Sequence, residues 1–139
     1  MLKAVAGDKR LKGQLISAIK RVWHRNPVRI AVLKATEVRE YGTKKDGTRR
    51  AKPYVFYTCA ACGALAKQQK SKTHPRINVD HIEPVVPIDR PLDSWDEYIE
   101  RLFCDMSNLQ ALCDNCHDTK TQEENHARRQ AEKNRKSNS

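Results

Sequence analysis

The chain has no apolar run approaching the roughly 20 residues that a membrane span requires, and Met1-Leu2-Lys3 opens no hydrophobic signal region. A membrane-spanning or exported protein is therefore not expected, and the expected compartment is the cytoplasm, where thiols stay reduced. Aromatic residues are scarce at 6 % and hydrophobic residues reach only 38 %, so a 139-residue chain of this kind should bury a modest core and need a staple. Internal repeats and low-complexity blocks are absent, which leaves one domain, or a domain with arms.

Cysteine is present where a staple would use it. Four of the five cysteines form two Cys-x-x-Cys pairs, Cys59/Cys62 and Cys113/Cys116. Each such turn offers two thiolates to one corner of a tetrahedron, so two turns complete a closed four-sulfur zinc site. Cys104 is left over and reads as a small buried hydrophobe. Cys113-Asp114-Asn115-Cys116-His117 also matches a c-type haem attachment pattern, but haem would leave Cys59 and Cys62 unexplained. A redox dithiol would require a thioredoxin-like βαβ pattern, which surrounds neither pair. His117 could also replace Cys116 as a zinc ligand.

Charge is distributed unevenly along the +10 chain. Residues 1–52 hold 15 Lys and Arg against 4 Asp and Glu, whereas residues 53–117 hold 6 against 9. A basic segment joined to a slightly acidic, metal-ready centre points to a polyanionic partner, set against the plainer reading of solubility alone. The DNA-contact candidates are Lys44, Lys45, Arg49, Arg50 and Lys52, in a Gly42–Lys52 stretch that has turn chemistry, no apolar periodicity and the look of a mobile loop.

Leu11, Leu15, Ile19 and Val22 recur at helical spacing and predict an amphipathic basic helix from about Asp8 to Arg25. Asn26-Pro27 ends it and starts a second helix through Ala35, although Val28–Val32 could pass for a strand. Tyr54–Thr58 and Ile77–His81 read as strands, Trp95 to Leu102 as a short helix, Leu109–Leu112 as a return strand, and the chain from Asp114 or Asn115 through Arg135 as a polar helix.

Between the cysteine pairs, Asp80 and His81 stand side by side at the end of a predicted strand. Phosphodiester hydrolysis needs a base to activate water and a positive charge on the phosphate. His81 suits the base. Asp80 and His117 offer one oxygen and one nitrogen to a divalent ion such as Mg2+ or Mn2+ that keeps positions open for water and phosphate. Neighbours on an ideal strand face opposite ways, so Asp80 and His81 share a site only if metal and phosphate lie between them or the strand twists.

These residues resemble the HNH endonuclease family, with its ββα-metal core, and more closely its small phage-type members with a four-cysteine zinc knuckle. Asp80-His81-Ile82 with Pro84, Asn108-Leu109-Gln110 with Leu112-Cys113, and Cys116-His117 with Lys120-Thr121 carry the resemblance, over Tyr57 to Glu124. It implies an α+β fold and metal-dependent cutting of DNA, with His81 as general base, Asp80 and His117 as metal ligands, and Asn108 as the central asparagine. A His-x-x-x-His helix would place a second imidazole at position 121, which is Thr here; Asp118 reads as a helix cap. The expected organisation is a basic helical arm and loop (1–52), a nuclease domain with zinc knuckle (53–124) and a polar helix end and tail (125–139). The rival expectation is a zinc-ribbon nucleic-acid-binding module whose Asp-His pair is inert.

Overall fold

A computed structural model describes residues 7–138; the expectation at Met1-Leu2-Lys3 lies outside them. Among the described residues the fold is mixed α+β, with four α-helices and two small antiparallel sheets. The Asp8 carboxylate accepts the N–H groups of Arg10 and Leu11 and starts α1 (Lys9–His24). Asn26 caps α2 (Pro27–Ala35), accepting from the Val28 N–H at 2.8 Å, with Pro27 at the first position, where its missing N–H does no harm. The strand alternative for Val28–Val32 therefore gives way to helix.

The first sheet orders β1 (Glu37–Glu40), β2 (Tyr54–Thr58) and β3 (Leu65–Ala66) side by side. The second pairs β4 (Ile77–His81) with β5 (Leu109–Cys113), Ile77 opposite Cys113 and His81 opposite Leu109. Helix α3 (Trp95–Leu102) and a 3-10 turn (Met106–Asn108) lie in the connection between them, and α4 (Asp114–Ser137) follows β5 without a loop. Among the described residues no helix is long and apolar enough to cross a membrane.

Two apolar clusters hold these elements together. The first gathers Leu33, Tyr57, Ala66, Ile77, Ala111 and Leu112 around Cys59 and Cys113. The second packs Trp23 and Val32 against Leu92, Tyr98, Leu102 and Leu109, with Cys104 partly buried at its margin. Adjacent residues of α2, Val32 and Leu33, enter different clusters, so this helix lies between the two. Helices α1 and α2, expected as an arm, are thus packed onto the body.

Four expectations need correction. The inner face of α1 carries Ile16, Ile19 and Trp23, while Val22, assigned to the stripe, is 62 % exposed; the buried indole at position 23 takes the inward place that the spacing gave to Val22. Gly42–Lys52 is a closed hairpin loop in which Thr43 bridges Arg49, the Lys44 N–H donates to the Thr48 carbonyl (2.7 Å) and that of Arg50 to Gly42 (2.8 Å). Neither Asp114 nor Asn115 caps α4. Cys113 takes that position, and the Asp114 carboxylate turns back to accept from the Arg76 N–H (3.2 Å) and the Asn78 amide (2.9 Å). Asp118 lies beyond the first turn and cannot cap.

Candidate active site and metal centre

Strand β2 delivers Cys59 to a tight turn that Gly63 closes at φ 75°, a conformation glycine adopts without the penalty a Cβ brings. The Gly63 N–H donates to the Cys59 carbonyl and that of Cys59 to Ala64, each at 2.9 Å, while the Ala60 N–H reaches the Ala111 carbonyl of β5 at 2.8 Å. This cross-link brings the two cysteine pairs together. The sulfurs of Cys59, Cys62, Cys113 and Cys116 lie within 4.8 Å of one another, and those of Cys62 and Cys113 are 3.8 Å apart. Four sulfurs at about 2.3 Å from a tetrahedral ion have edges of about 3.8 Å, so the residues fit a metal such as zinc. The cage takes Cys116 and leaves His117 outside it, which disposes of the exchange of ligands considered above.

Without a cation between them, the thiols at Cys113 and Cys62 oppose ionisation of Cys116. Neighbouring Cys113 and Cys62, together with burial, push Cys116 up to about 12. Burial also opposes ionisation at Cys59, but hydrogen bonds from the backbone of Cys113, Cys62 and Ala61 outweigh it and bring that thiol down to about 6. A bound cation would favour all four thiolates together.

Beside this centre, α1, the end of β4, the 84–92 segment, α3 and α4 enclose a cleft of about 780 Å³. Asp80, His81 and His117 all line it. His81 leans towards α1 and α3: its ring lies 5.0 Å from that of Trp23, and its Nε2 is 2.8 Å from the Leu102 carbonyl oxygen. A carbonyl can only accept, so Nε2 carries the proton and Nδ1 of the neutral ring keeps a free lone pair. Asp80 leans the other way, towards α4. The cleft therefore runs between the two neighbours, resolving their opposed strand directions.

Both donors to Asp80, Lys120 Nζ at 3.0 Å and Gln110 Nε2 at 3.2 Å, reach Oδ2, whereas Oδ1 faces His117 Nε2 at 3.8 Å. Two ligands about 2.1 Å from one octahedral ion stand about 3.0 Å apart when adjacent and about 4.2 Å when opposite, so the 3.8 Å pair would close by about 0.8 Å to hold a divalent ion on adjacent positions. Among the described residues no third Asp, Glu, His or Cys joins them within common ligand distance.

Lys120 is the residue that sequence reasoning underused. Its ammonium donates to Asp80, to the His81 carbonyl at 2.9 Å and to Glu124. Burial disfavours its charge, but the bonds to Glu124 and Asp80 outweigh burial and raise its pKa. The signal was available: His117, Lys120 and Glu124 follow at helical i, i+3, i+7 spacing and so share one face. His24, on which nothing was staked, also lines the cleft, its pKa lowered by burial and then by Arg29, Arg76 and Lys20. That wall of the cleft is electropositive.

Asn108 stands outside the cleft. Its Oδ1 accepts from the Glu83 N–H at 2.8 Å and its Nδ2 donates to the Glu83 carbonyl at 3.2 Å, while its own carbonyl accepts from the Ile82 N–H. It thus secures the two residues that follow His81. Lys44, Lys45, Arg49, Arg50 and Lys52 are on the β1–β2 hairpin, and none of them lines the cleft. Comparison with protein-family models, curated proteins and solved structures finds no match to this chain.

Proposed function

We propose that this protein is a metal-dependent DNA endonuclease of the HNH type, its ββα unit formed by β4, β5 and the start of α4, with zinc in the four-cysteine cage. One observation carries the reading: a single cleft is lined by an Asp80 oxygen and a His117 nitrogen 3.8 Å apart and by His81 with its Nδ1 lone pair available.

Asp80 Oδ1 and His117 Nε2 would hold Mg2+, Mn2+ or another exchangeable divalent ion. When bound, that ion would supply positive charge to a phosphate oxygen and to the departing oxygen. His81 Nδ1 takes a proton from water as the water oxygen bonds to phosphorus; the bond from phosphorus to the leaving oxygen breaks, and that oxygen is protonated from solvent. The Leu102 carbonyl and the Trp23 ring keep the imidazole oriented throughout. Asn108 holds the chain after His81 in register. The basic wall around His24 favours a polyanion at the cleft mouth.

A second reading, a zinc-ribbon nucleic-acid-binding module, draws support from Lys120, whose ammonium already neutralises Asp80. Supercoiled plasmid incubated with Mg2+ or Mn2+ separates them. Relaxation that disappears in His81→Ala, with zinc content and DNA affinity retained, supports the nuclease; a wild-type protein that binds plasmid but never nicks it leaves the binding module.

A further inference from the structure

The β1–β2 hairpin is more ordered than its composition suggests, and two of its five cations are paired with rings. The Arg49 guanidinium lies 3.7 Å from the centre of the Tyr41 ring and that of Arg50 lies 4.0 Å from the Tyr54 ring. Both rings remain open to solvent, at 44 % and 46 % exposure for the two residues. Gly42 allows the second stack, since a Cβ there would meet the Tyr54 ring at 2.8 Å and the Arg50 side chain at 3.3 Å. Gly47, at φ 88°, turns the tip, and the Asp46 carboxylate accepts the Thr48 N–H and hydroxyl. Asp46 is the single acid among residues 41–52, against five Lys and Arg.

The pairing also sorts the two arginines. Glu40 faces Tyr54, while Thr43 faces Arg49, so one strand advances three residues where the other advances five, and the excess bulges at 51–53. Side chains alternate along each strand. Tyr41, Thr43 and Arg49 therefore occupy one face of the ribbon, and Glu40, Gly42, Arg50 and Tyr54 the other.

We propose that this hairpin is a duplex-DNA-gripping ribbon, in which Tyr41 and Tyr54 present Arg49 and Arg50, one on each face, to phosphates on the two sides of a groove. A guanidinium held over a ring loses less freedom on binding; that of exposed Arg49 keeps its N–H edge for a phosphate, whereas half-buried Arg50 has its Nη1 enclosed without a partner and would reach a phosphate through its other N–H groups. The major groove admits a two-stranded ribbon between two phosphate walls, and opposed cations match that arrangement, whereas a single strand offers one row of phosphates. Lys44, Lys45 and Lys52 add charge around the tip. The inference shares with the nuclease reading only the identity of the partner.

The test is equilibrium binding of a fluorescein-labelled duplex of about 30 base pairs across a salt series, with zinc-loaded protein and no added Mg2+ or Mn2+. In R49Q/R50Q, affinity should fall about tenfold and the slope of log affinity against log salt should flatten by about two. Y41L/Y54L, which keeps every charge, should weaken binding severalfold, and Y41F/Y54F should restore it. Circular dichroism checks that each variant folds. Wild-type affinity in the Arg variant, unaltered binding in the leucine variant, or equal competition by the single strand would each overturn the proposal. Plasmid nicking is scored separately, so duplex binding through the hairpin without nicking refutes the nuclease reading and leaves the ribbon standing.

Discussion

Replacing Lys120 with Met tests the charge arrangement of the cleft without emptying it of side chain. Methionine keeps the apolar stem but removes a cation that serves Asp80, Glu124 and the His81 carbonyl at once. Breaking a fully buried ion pair costs about 3–5 kcal/mol and an exposed one about 0–1 kcal/mol. Here the side chains are 21 % (Lys120), 13 % (Asp80) and 20 % (Glu124) exposed, nearer the buried limit. Two carboxylates left without their common ammonium should therefore cost about 2–3 kcal/mol. In zinc-saturated protein without other divalent ions, the urea midpoint should fall by about 1 M or more.

The same perturbation has a second reading in a cycle. If the loss comes from uncompensated carboxylates, Asp80→Asn should recover part of it in the K120M background, an interaction energy expected between contacting groups. Mn2+ should also stabilise K120M more than wild type, because Asp80 would then be open to a cation on both oxygens. A K120M protein within about 0.5 kcal/mol of wild type, or one that Asp80→Asn makes worse, would refute the assignment of Lys120 as the balancing charge.

Chelation of the cysteine-bound metal should unfold the protein cooperatively, since structural zinc contributes about 10–16 kcal/mol of apparent binding energy, comparable to the whole stability of a small domain. Cys113→Ser should reproduce this in metal content and thermal melts, whereas Cys104→Ser should keep full metal content. The Asp114 carboxyl lies below its ordinary range, first because Asn78 donates to it and further because of the Arg76 backbone N–H and nearby Lys70 and Arg76. Its depressed folded value means that it stabilises above the unfolded pKa of about 3.9 and that this contribution is lost as pH falls through the folded value. The stability gap between wild type and Asp114→Asn should hold from pH 7 to about 5 and narrow as the pH falls toward the folded value, in urea titrations of protein whose metal content is measured at each pH.

Much of this fold was legible where one local signal decided it. Asn26-Pro27 encodes a stop and a start in two residues, and Tyr54–Thr58 reads as strand because aromatic and β-branched side chains suit a pleated surface. Strand β1 gave no such signal: Glu37-Val38-Arg39-Glu40 has one apolar residue and is extended because β2 lies alongside it. The four cysteines could be assigned by spacing alone, since a tetrahedral ion imposes its own geometry. The start of α4 could not, because Asp114 has the right chemistry for a cap but finds better partners on β4. For the same reason Lys120 was legible as a motif position and not as the hub of the cleft: its three acceptors come from residues 80, 81 and 124.

The cysteine cage and the cleft are coupled by the absence of a loop. Strand β5 ends at Cys113, α4 begins at the next residue, and Cys116 precedes His117 directly, so two ligands of the cage fix the first turn of the helix that carries His117. Asp80 is placed from the other side, by its pairing with Gln110 three residues before Cys113. The 3.8 Å between Asp80 and His117 therefore depends on where four sulfurs hold the strand-to-helix junction, together with the Lys120 bonds from α4 to Asp80 and the His81 carbonyl. Because α4 buries none of its described side chains, apolar packing offers no second way to fix its orientation. An ion in the cage thus acts on the cleft at a distance, through backbone geometry, and without it only the polar ties of Lys120 and Asp114 would hold the start of α4 to β4.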